Sequence, residues 1–321
     1  MKYYLSVLAG AMSYGILSTI VVLAYGQGYQ LGEVVGTQLI TGFILSWMLA
    51  LYTRFRAKRK TQKSRNANVN SASPAKVFTR LTWKQRLMLM AAGTPTVITG
   101  LVYYQSLRYI PASLAIILLF QFTWISVLIQ AISKRQRPDK VTFLTLFILF
   151  GGTLLAAGFL EQGISNVSGI GIALGLMAAV SYSLFVLFSG KAVPSAHPAF
   201  RSAWMVTGGL ILLCILFPPT FLFNGLIWSQ LLVFGLLLGF FGAFIPPVLF
   251  AIGVPHIGGD MAGILGAIEL PVAVLLSAIV LHEHVSLLQW FGVVIVLIGV
   301  ALPELYKMRV RRSRSTAVYS G

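Results

Sequence analysis

A lone acidic side chain, Glu269, lies within an otherwise uncharged stretch between Asp260 and Glu283. In a helix, a rise of about 1.5 Å per residue places Glu269 about 13 Å above Asp260. A membrane hydrocarbon core is about 30 Å thick, so this carboxylate is predicted near the midplane of a membrane-spanning helix. Because a charged group is costly in lipid, we expect Glu269 to face the protein interior or a water-filled cavity.

Two interpretations of Glu269 follow from its position. In the functional interpretation, the carboxylate binds a cationic or amine-bearing solute, or it exchanges a proton during transport. In the structural interpretation, it bonds backbone groups that Pro271 leaves without a hydrogen-bond donor. The sequence leaves both open, and the variant Glu269→Gln separates them.

Other polar and aromatic residues could contribute to the same site. Tyr14 and Tyr182 lie in the middle of apolar stretches, away from the interfacial positions that tyrosine usually occupies. Each could contact a solute, or could pack between helices beside small residues. Gln121 is either part of a cavity wall or an interhelical hydrogen-bonding group. The remaining candidates, which lie nearer to helix ends, are Tyr103 and Trp204.

Glycine and proline interrupt two apolar stretches, at 93–95 and 242–247. Interruptions at corresponding places in two halves of a chain are typical of secondary-transporter binding sites and hinges. The alternative is a simple proline kink whose freed groups are satisfied by neighbours. The hinge candidates are Pro95, Pro246, Pro247 and Pro271.

The composition predicts an all-α integral membrane protein, because 57% of the residues are hydrophobic and 10% are charged. Soluble domains carry about 25% charged residues. The net charge of +17 would suggest a nucleic-acid partner in a soluble protein. Here the basic residues cluster between apolar stretches and in the C-terminal tail, where they are expected to meet anionic lipid instead.

Ten apolar stretches of spanning length can be drawn. Their ranges are 3–25, 34–52, 86–106, 112–132, 141–159, 169–189, 202–223, 230–252, 260–281 and 287–305. With the N-terminus inside, 23 of the 24 Lys and Arg residues face inside and only Arg108 faces outside. We therefore expect a multi-pass protein of the cytoplasmic membrane with both termini in the cytoplasm. The basic loop 53–86, rich in Ser and Asn, is predicted to be disordered.

The two halves of the chain resemble each other. AMSYGIL at 11–17 recurs as AVSYSLF at 179–185, and residues 117–135 align with residues 265–283. This alignment pairs Gln121 with Glu269. Five helices is an odd number, so the second half is predicted to be inverted in the membrane. Inverted repeats with a site at their interface are a design of secondary transporters.

The chain resembles the EamA-type proteins of the drug/metabolite transporter superfamily over nearly its whole length. Glu269 and Pro271 resemble the Glu-Pro pair of that family, with Leu270 inserted, and Glu283 resembles its later acid. Further matches to the C-terminal motif are Gln289, Gly292 and Gly299. In the first repeat, Lys134-Arg135 replaces the usual Gly-Glu, and Thr123-Trp124 stands where proline is common.

The resemblance implies a first repeat at 1–160, a second repeat at 161–305 and a basic tail at 306–321. It also implies a secondary transporter that exports a small organic metabolite or drug-like solute by alternating access. Proton coupling is a separate expectation that comes from Glu269. The motif is specific for the fold class and not for the transported solute.

No catalytic residue, cofactor or metal site is predicted from the sequence. The His282-Glu283-His284 run lacks the i, i+4 histidine spacing of a zinc helix, and no G-x-x-x-x-G-K-[ST] nucleotide motif is present. The single cysteine, Cys214, cannot form an intrachain disulfide. Two rivals to a transporter are a non-transporting sensor or scaffold and a lipid-modifying membrane enzyme. An enzyme would need several polar catalytic groups at one depth, whereas Glu269 is the only deep acid.

Overall fold

The structure is a computed structural model. It describes residues 1–66, 81–133, 140–156, 168–189, 192–193, 196–257 and 265–319. Within these ranges the regular secondary structure is entirely helical. The all-α prediction is therefore confirmed for the described part of the chain.

The α-helices are numbered here in chain order. They are α1 (Lys2–Gly15), α2 (Leu17–Gly26), α3 (Leu31–Asn66), α4 (Trp83–Ser106), α5 (Ala112–Leu119), α6 (Phe122–Ser133), α7 (Lys140–Ala156), α8 (Gly169–Ser189), α9 (Pro198–Leu216), α10 (Gln230–Leu238), α11 (Ile245–Ile257), α12 (Glu269–Val280) and α13 (Leu287–Tyr319). A π-helical segment, Gly239–Phe244, joins α10 to α11. Two short 3₁₀ helices, Thr220–Leu222 and Leu226–Trp228, lie between α9 and α10.

Several predicted helix boundaries need correction. The first and fourth apolar stretches are each split in two, because α1 ends before Ile16 and α5 ends before Phe120. The seventh ends at Leu216 rather than at 223. The prediction of disorder is wrong for residues 53–66, since α3 continues to Asn66. Residues 67–80 of the same loop lie outside the described part of the chain.

Five helical segments within the described ranges are long and apolar enough to cross a membrane, judged by length and composition. They are Lys2–Gly26, Leu31–Ala57, Trp83–Ser106, Pro198–Leu216 and Gln230–Phe250. Shorter apolar helices, such as Gly169–Phe185 and Glu269–Val280, accompany them. This pattern is that of a multi-pass helical membrane protein.

Helix packing relates the two halves of the chain. The first-half helix α4 packs on α8, and the second-half helix α11 packs on α1. Helix α7 packs along α13, which is the last helix of the second half. The contact between α4 and α8 and the contact between α11 and α1 thus join helices that the sequence comparison aligns.

Two serines that the sequence comparison aligns form hydrogen bonds across these contacts. Ser13 on α1 donates a hydrogen bond to the carbonyl oxygen of Phe241 at 2.6 Å. Ser181 on α8 donates to the carbonyl oxygen of Pro95 at 2.9 Å. Both acceptors lie where glycine and proline interrupt the partner helix, so each serine supports an irregular stretch of backbone.

Glu283 connects the second half of the chain to the first. Its carboxylate accepts hydrogen bonds from the backbone N–H groups of Ala112 and Ser113, at 2.6 and 3.1 Å, and from the Ser113 hydroxyl at 2.7 Å. These donors lie at the start of α5, where backbone N–H groups have no partner within the helix and where the helix dipole favours an anion. The family-like acid at this position is therefore a helix cap supplied from the other half.

Replacing Glu283 with alanine is expected to lower the free energy of unfolding by about 2 kcal/mol, because it removes a cap and three charge-assisted hydrogen bonds. The measurement is thermal or denaturant unfolding of the purified protein in detergent. The matched control is Glu33→Ala, since Glu33 accepts a single local bond from the Gln30 backbone N–H. Equal losses for the two variants would contradict a stabilising contact between the halves.

Candidate functional site

Glu269 is the first residue of α12, and the end of α1 lies directly against it. A Cβ atom on Gly15 would lie 2.7 Å from the carbonyl oxygen of Glu269, so only glycine permits this approach. Residues 267–268 form a turn immediately before α12. The prediction of one continuous helix over 260–281 is therefore wrong at this turn, and residues 258–264 lie outside the described ranges.

Four tyrosines lie in the neighbourhood of Glu269. Glu269 lies within electrostatic range of each of them, and they come from three different helices. They are Tyr14 on α1, Tyr103 and Tyr104 on α4, and Tyr182 on α8. We call these five residues the Glu269 cluster. It draws on both halves of the chain.

The carboxylate of Glu269 accepts no hydrogen bond from any group in the described part of the chain. Protein surrounds the residue, yet part of its surface stays accessible. A carboxylate in such a place loses hydration without gaining a partner among the described residues. This arrangement suits a group that binds something from outside the protein better than one that stabilises the fold.

The structural interpretation of Glu269 depended on backbone groups freed by Pro271. In the structure, Pro271 lies in the first turn of α12, where N–H groups have no partner within the helix in any case. The carbonyl oxygen of Ala267, four residues before Pro271, accepts a bond from the N–H of Leu270 at 3.2 Å. Glu269 is therefore not needed to compensate for this proline.

Aromatic side chains extend the cluster on both sides. The ring of Tyr14 stacks near Phe250, with centroids 6.4 Å apart. The ring of Tyr182 meets Phe122 edge to face at 4.6 Å and stacks near Phe185 at 6.0 Å. Tyr14 and Tyr182 both keep part of their surface accessible. Their rings can therefore contact a bound group as well as the neighbouring aromatic side chains.

Gln121 is engaged within the protein. Its amide nitrogen donates to the carbonyl oxygen of Ile117 at 2.9 Å and to the Thr153 hydroxyl at 2.7 Å. Its amide oxygen accepts from the indole N–H of Trp124 at 2.7 Å. The side chain is 4% exposed and bonds to α7. This geometry favours the interhelical hydrogen-bonding interpretation.

Trp204 lies in a different part of the bundle from the Glu269 cluster. Its ring meets Trp47 edge to face at 5.3 Å, and the guanidinium of Arg86 lies 5.4 Å above it. It packs against a small separate core that contains Leu89. An aromatic ring beside an arginine at a helix end is typical of the membrane interface.

The interior prolines are compensated locally. Pro95 lies inside α4, and the hydroxyl of Thr94 donates at 2.8 Å to the Ala91 carbonyl oxygen that the proline leaves without a backbone donor. Pro246 and Pro247 follow the π-helical segment at the start of α11. In that segment the N–H of Ile245 bonds five residues back, to Phe240. The next carbonyl oxygen, that of Phe241, receives no backbone hydrogen bond because Pro246 has no N–H. The hydroxyl of Ser13 donates to it instead.

Sequence reasoning missed three polar residues near the cluster. Tyr104 belongs to it, and Gln38 on α3 lies beside the Tyr104 hydroxyl. Ser18 lies beside the Tyr103 hydroxyl. Tyr104 follows Tyr103 directly, so the Tyr-Tyr pair was the available signal. Ser18 and Gln38 gave none, because isolated polar residues in apolar helices commonly serve packing.

The described helices have the length and composition of a multi-pass helical membrane protein. Residues 169–303 match the EamA-like transporter family, so the resemblance to EamA-type proteins is confirmed over that part of the chain. The matched residues include Glu269 and Glu283.

Comparison with individual proteins gives the same class. A protein of Synechocystis sp. (strain ATCC 27184 / PCC 6803 / Kazusa), described as uncharacterized transporter sll1319, is 25% identical over 202 residues. The match covers 62% of this chain and 60% of that protein. A solved crystal structure matches with a TM-score of 0.59 over 95% of this chain and 98% of its own, at 15% identity. That last likeness shows the fold alone. These comparisons point to a transporter rather than an enzyme.

Proposed function

We propose that this chain is a secondary transporter that exports a small organic solute by alternating access, with Glu269 as the residue that binds the solute and exchanges it for a proton. The observation that carries the proposal is a carboxylate that has no hydrogen-bond partner among the described residues and that lies within electrostatic range of tyrosines from both halves of the chain. A solute cation and a proton would compete for the same oxygen atoms. Such competition couples the flux of the solute to the flux of protons without a separate coupling site.

Ten spanning helices in two inverted repeats are part of the proposal. The matched contacts support it, since α4 with α8 corresponds to α11 with α1. The serine bonds to Phe241 and Pro95 also correspond across the repeat. In an inverted repeat, the site between the halves can open to either side when one half rocks against the other. The prolines beside those serine bonds, together with Pro271, are the proposed hinges.

The proposed orientation places both termini in the cytoplasm of the cell and the chain in the cytoplasmic membrane. The distribution of Lys and Arg supports it, because only Arg108 would then face outside. Helices α3 and α13 both continue into basic segments on the cytoplasmic side under this orientation. Each would lie near the anionic lipid headgroups of that leaflet.

The test is to overproduce the wild-type chain and to profile metabolites in the medium by mass spectrometry, against cells that carry the empty vector. We expect at least one small solute to accumulate outside only when the protein is present. Proteoliposomes loaded with that solute should then release it faster when a proton gradient is imposed. If no solute changes in cells that contain abundant membrane-inserted protein, export is the wrong function.

A further inference from the structure

A cavity of about 510 Å³ lies where α3 begins and α4 ends, and it shares no lining residue with the Glu269 cluster. Its volume is in the range of small-molecule binding sites in proteins. We call it the Arg108 cavity. Its walls combine polar side chains with aromatic rings, and they include Gln30, Glu33, Gln105, Arg108, Phe217 and Phe221.

The aromatic wall of the Arg108 cavity packs against two glycines of α3. A Cβ atom on Gly32 would lie 2.8 Å from the Cδ1 atom of Phe217. One on Gly36 would lie 2.5 Å from the Cζ atom of Phe221. Residues four apart lie on the same face of a helix, so both rings follow one face of α3 at its start. They give the cavity an apolar side.

The polar wall carries two opposite charges, Glu33 and Arg108, and each is bonded to Gln30 rather than to the other. Nη2 of Arg108 donates to Oε1 of Gln30 at 3.0 Å. The backbone N–H of Gln30 donates to Oε2 of Glu33 at 2.8 Å. The guanidinium also lies 4.5 Å above the ring of Tyr25. Gln30 thus holds an acid and a base apart on the wall of one cavity.

Both charged groups keep bonding capacity for a ligand. Oε1 of Glu33 accepts no hydrogen bond from any described residue. A guanidinium has five N–H donors in a planar fork that matches a carboxylate. A ligand with a single charge would meet one attractive group and one repulsive group in this cavity. A ligand that carries both charges can satisfy both groups at once.

We propose that the Arg108 cavity binds small zwitterions, with the carboxylate of the ligand at Arg108 and its ammonium at Glu33. The chain that joins the two charged ends of the ligand lies against Phe217 and Phe221. This second ligand site does not rest on the proposed function, because none of its residues belongs to the Glu269 cluster. Both charged side chains are accessible to water, so each pairing adds a modest gain in affinity.

The experiment measures the binding of three probes to the purified full-length chain in detergent by ligand-observed NMR titration. The probes are 5-aminopentanoate, which is a zwitterion, pentanoate, which lacks the ammonium, and butylammonium, which lacks the carboxylate. The wild type is expected to bind 5-aminopentanoate at least fivefold more tightly than either of the others. Arg108→Gln should remove the preference over butylammonium, and Glu33→Gln should remove the preference over pentanoate.

The matched control is Lys84→Gln, which removes an exposed positive charge from the opposite end of α4. It should leave the affinities for all three probes unchanged. Equal affinities of the wild type for the three probes, or binding of none of them, would overturn the proposal without any variant. A preference for the zwitterion that survived in both Arg108→Gln and Glu33→Gln would also overturn it, since the ligand would then be held elsewhere.

Discussion

Glu269→Gln is expected to reduce the flux of the transported solute at least tenfold, which corresponds to about 1.4 kcal/mol or more of lost interaction free energy. Glutamine keeps the shape and the accessible position of the side chain but removes its charge and its ability to release a proton. The measurement is efflux from proteoliposomes at equal protein content, with and without a proton gradient. The variant should also lose the response to that gradient.

The variant is expected to fold normally. No described group donates a hydrogen bond to the carboxylate, so the substitution breaks no hydrogen bond with the described part of the chain. Unfolding of Glu269→Gln should therefore begin at the same temperature as that of the wild type, or higher, since a costly buried charge is gone. Glu33→Gln, which neutralises an acid at the start of α3, is the control for loss of charge. Unchanged gradient-driven flux in Glu269→Gln would make Glu269 a structural residue.

The helical class and much of the helix order could be predicted from hydropathy, because spanning helices must bury their own backbone hydrogen bonds. The range 169–189 agrees with α8 at both ends. The break at Ile16 could not be predicted, since α1 and α2 together read as one apolar run. It lies next to Gly15, where α1 passes against the start of α12. Contacts between distant helices decide such breaks, and hydropathy does not report them.

The end of α3 shows a different limit of prediction. Residues 53–66 are rich in charged and polar residues, which led to a prediction of disorder. Lys, Arg and Gln are nevertheless good helix formers. Extending an existing helix also avoids the cost of nucleation. A basic segment that continues directly from a spanning helix therefore remains helical to Asn66.

Within the candidate site, three predicted tyrosines lie around Glu269, whereas Gln121 and Trp204 serve other contacts. Gln121 forms hydrogen bonds within the protein, although the sequence alignment pairs it with Glu269. Thr153 bonds to Gln121 at 2.7 Å. The alignment that pairs Gln121 with Glu269 also pairs Thr153 with Ala301, which has no hydroxyl. The first half thus satisfies its polar residue internally, whereas the aligned position in the second half carries no hydroxyl.

Gly93→Ala is expected to destabilise the protein by about 2 kcal/mol through overpacking at the crossing of α4 and α9. A Cβ atom on Gly93 would collide with the backbone of Met205. On the facing helix, a Cβ atom on Gly208 would collide with the backbone of Met90. Two glycines that face opposite backbones in this way let the helices approach closely, and a backbone cannot move aside as a flexible side chain can.

Gly100→Ala is the matched control for this prediction, because Gly100 lies on the same helix and none of the described residues has an atom within 4 Å of a Cβ added there. This substitution should stabilise the helix by about 0.5–1 kcal/mol, since alanine has the higher helix propensity. The two variants change the sequence identically and are expected to shift the unfolding temperature in opposite directions. Thermal unfolding of both proteins in the same detergent measures the difference. If Gly93→Ala and Gly100→Ala behaved alike, α4 and α9 would not cross with backbone contact at Gly93.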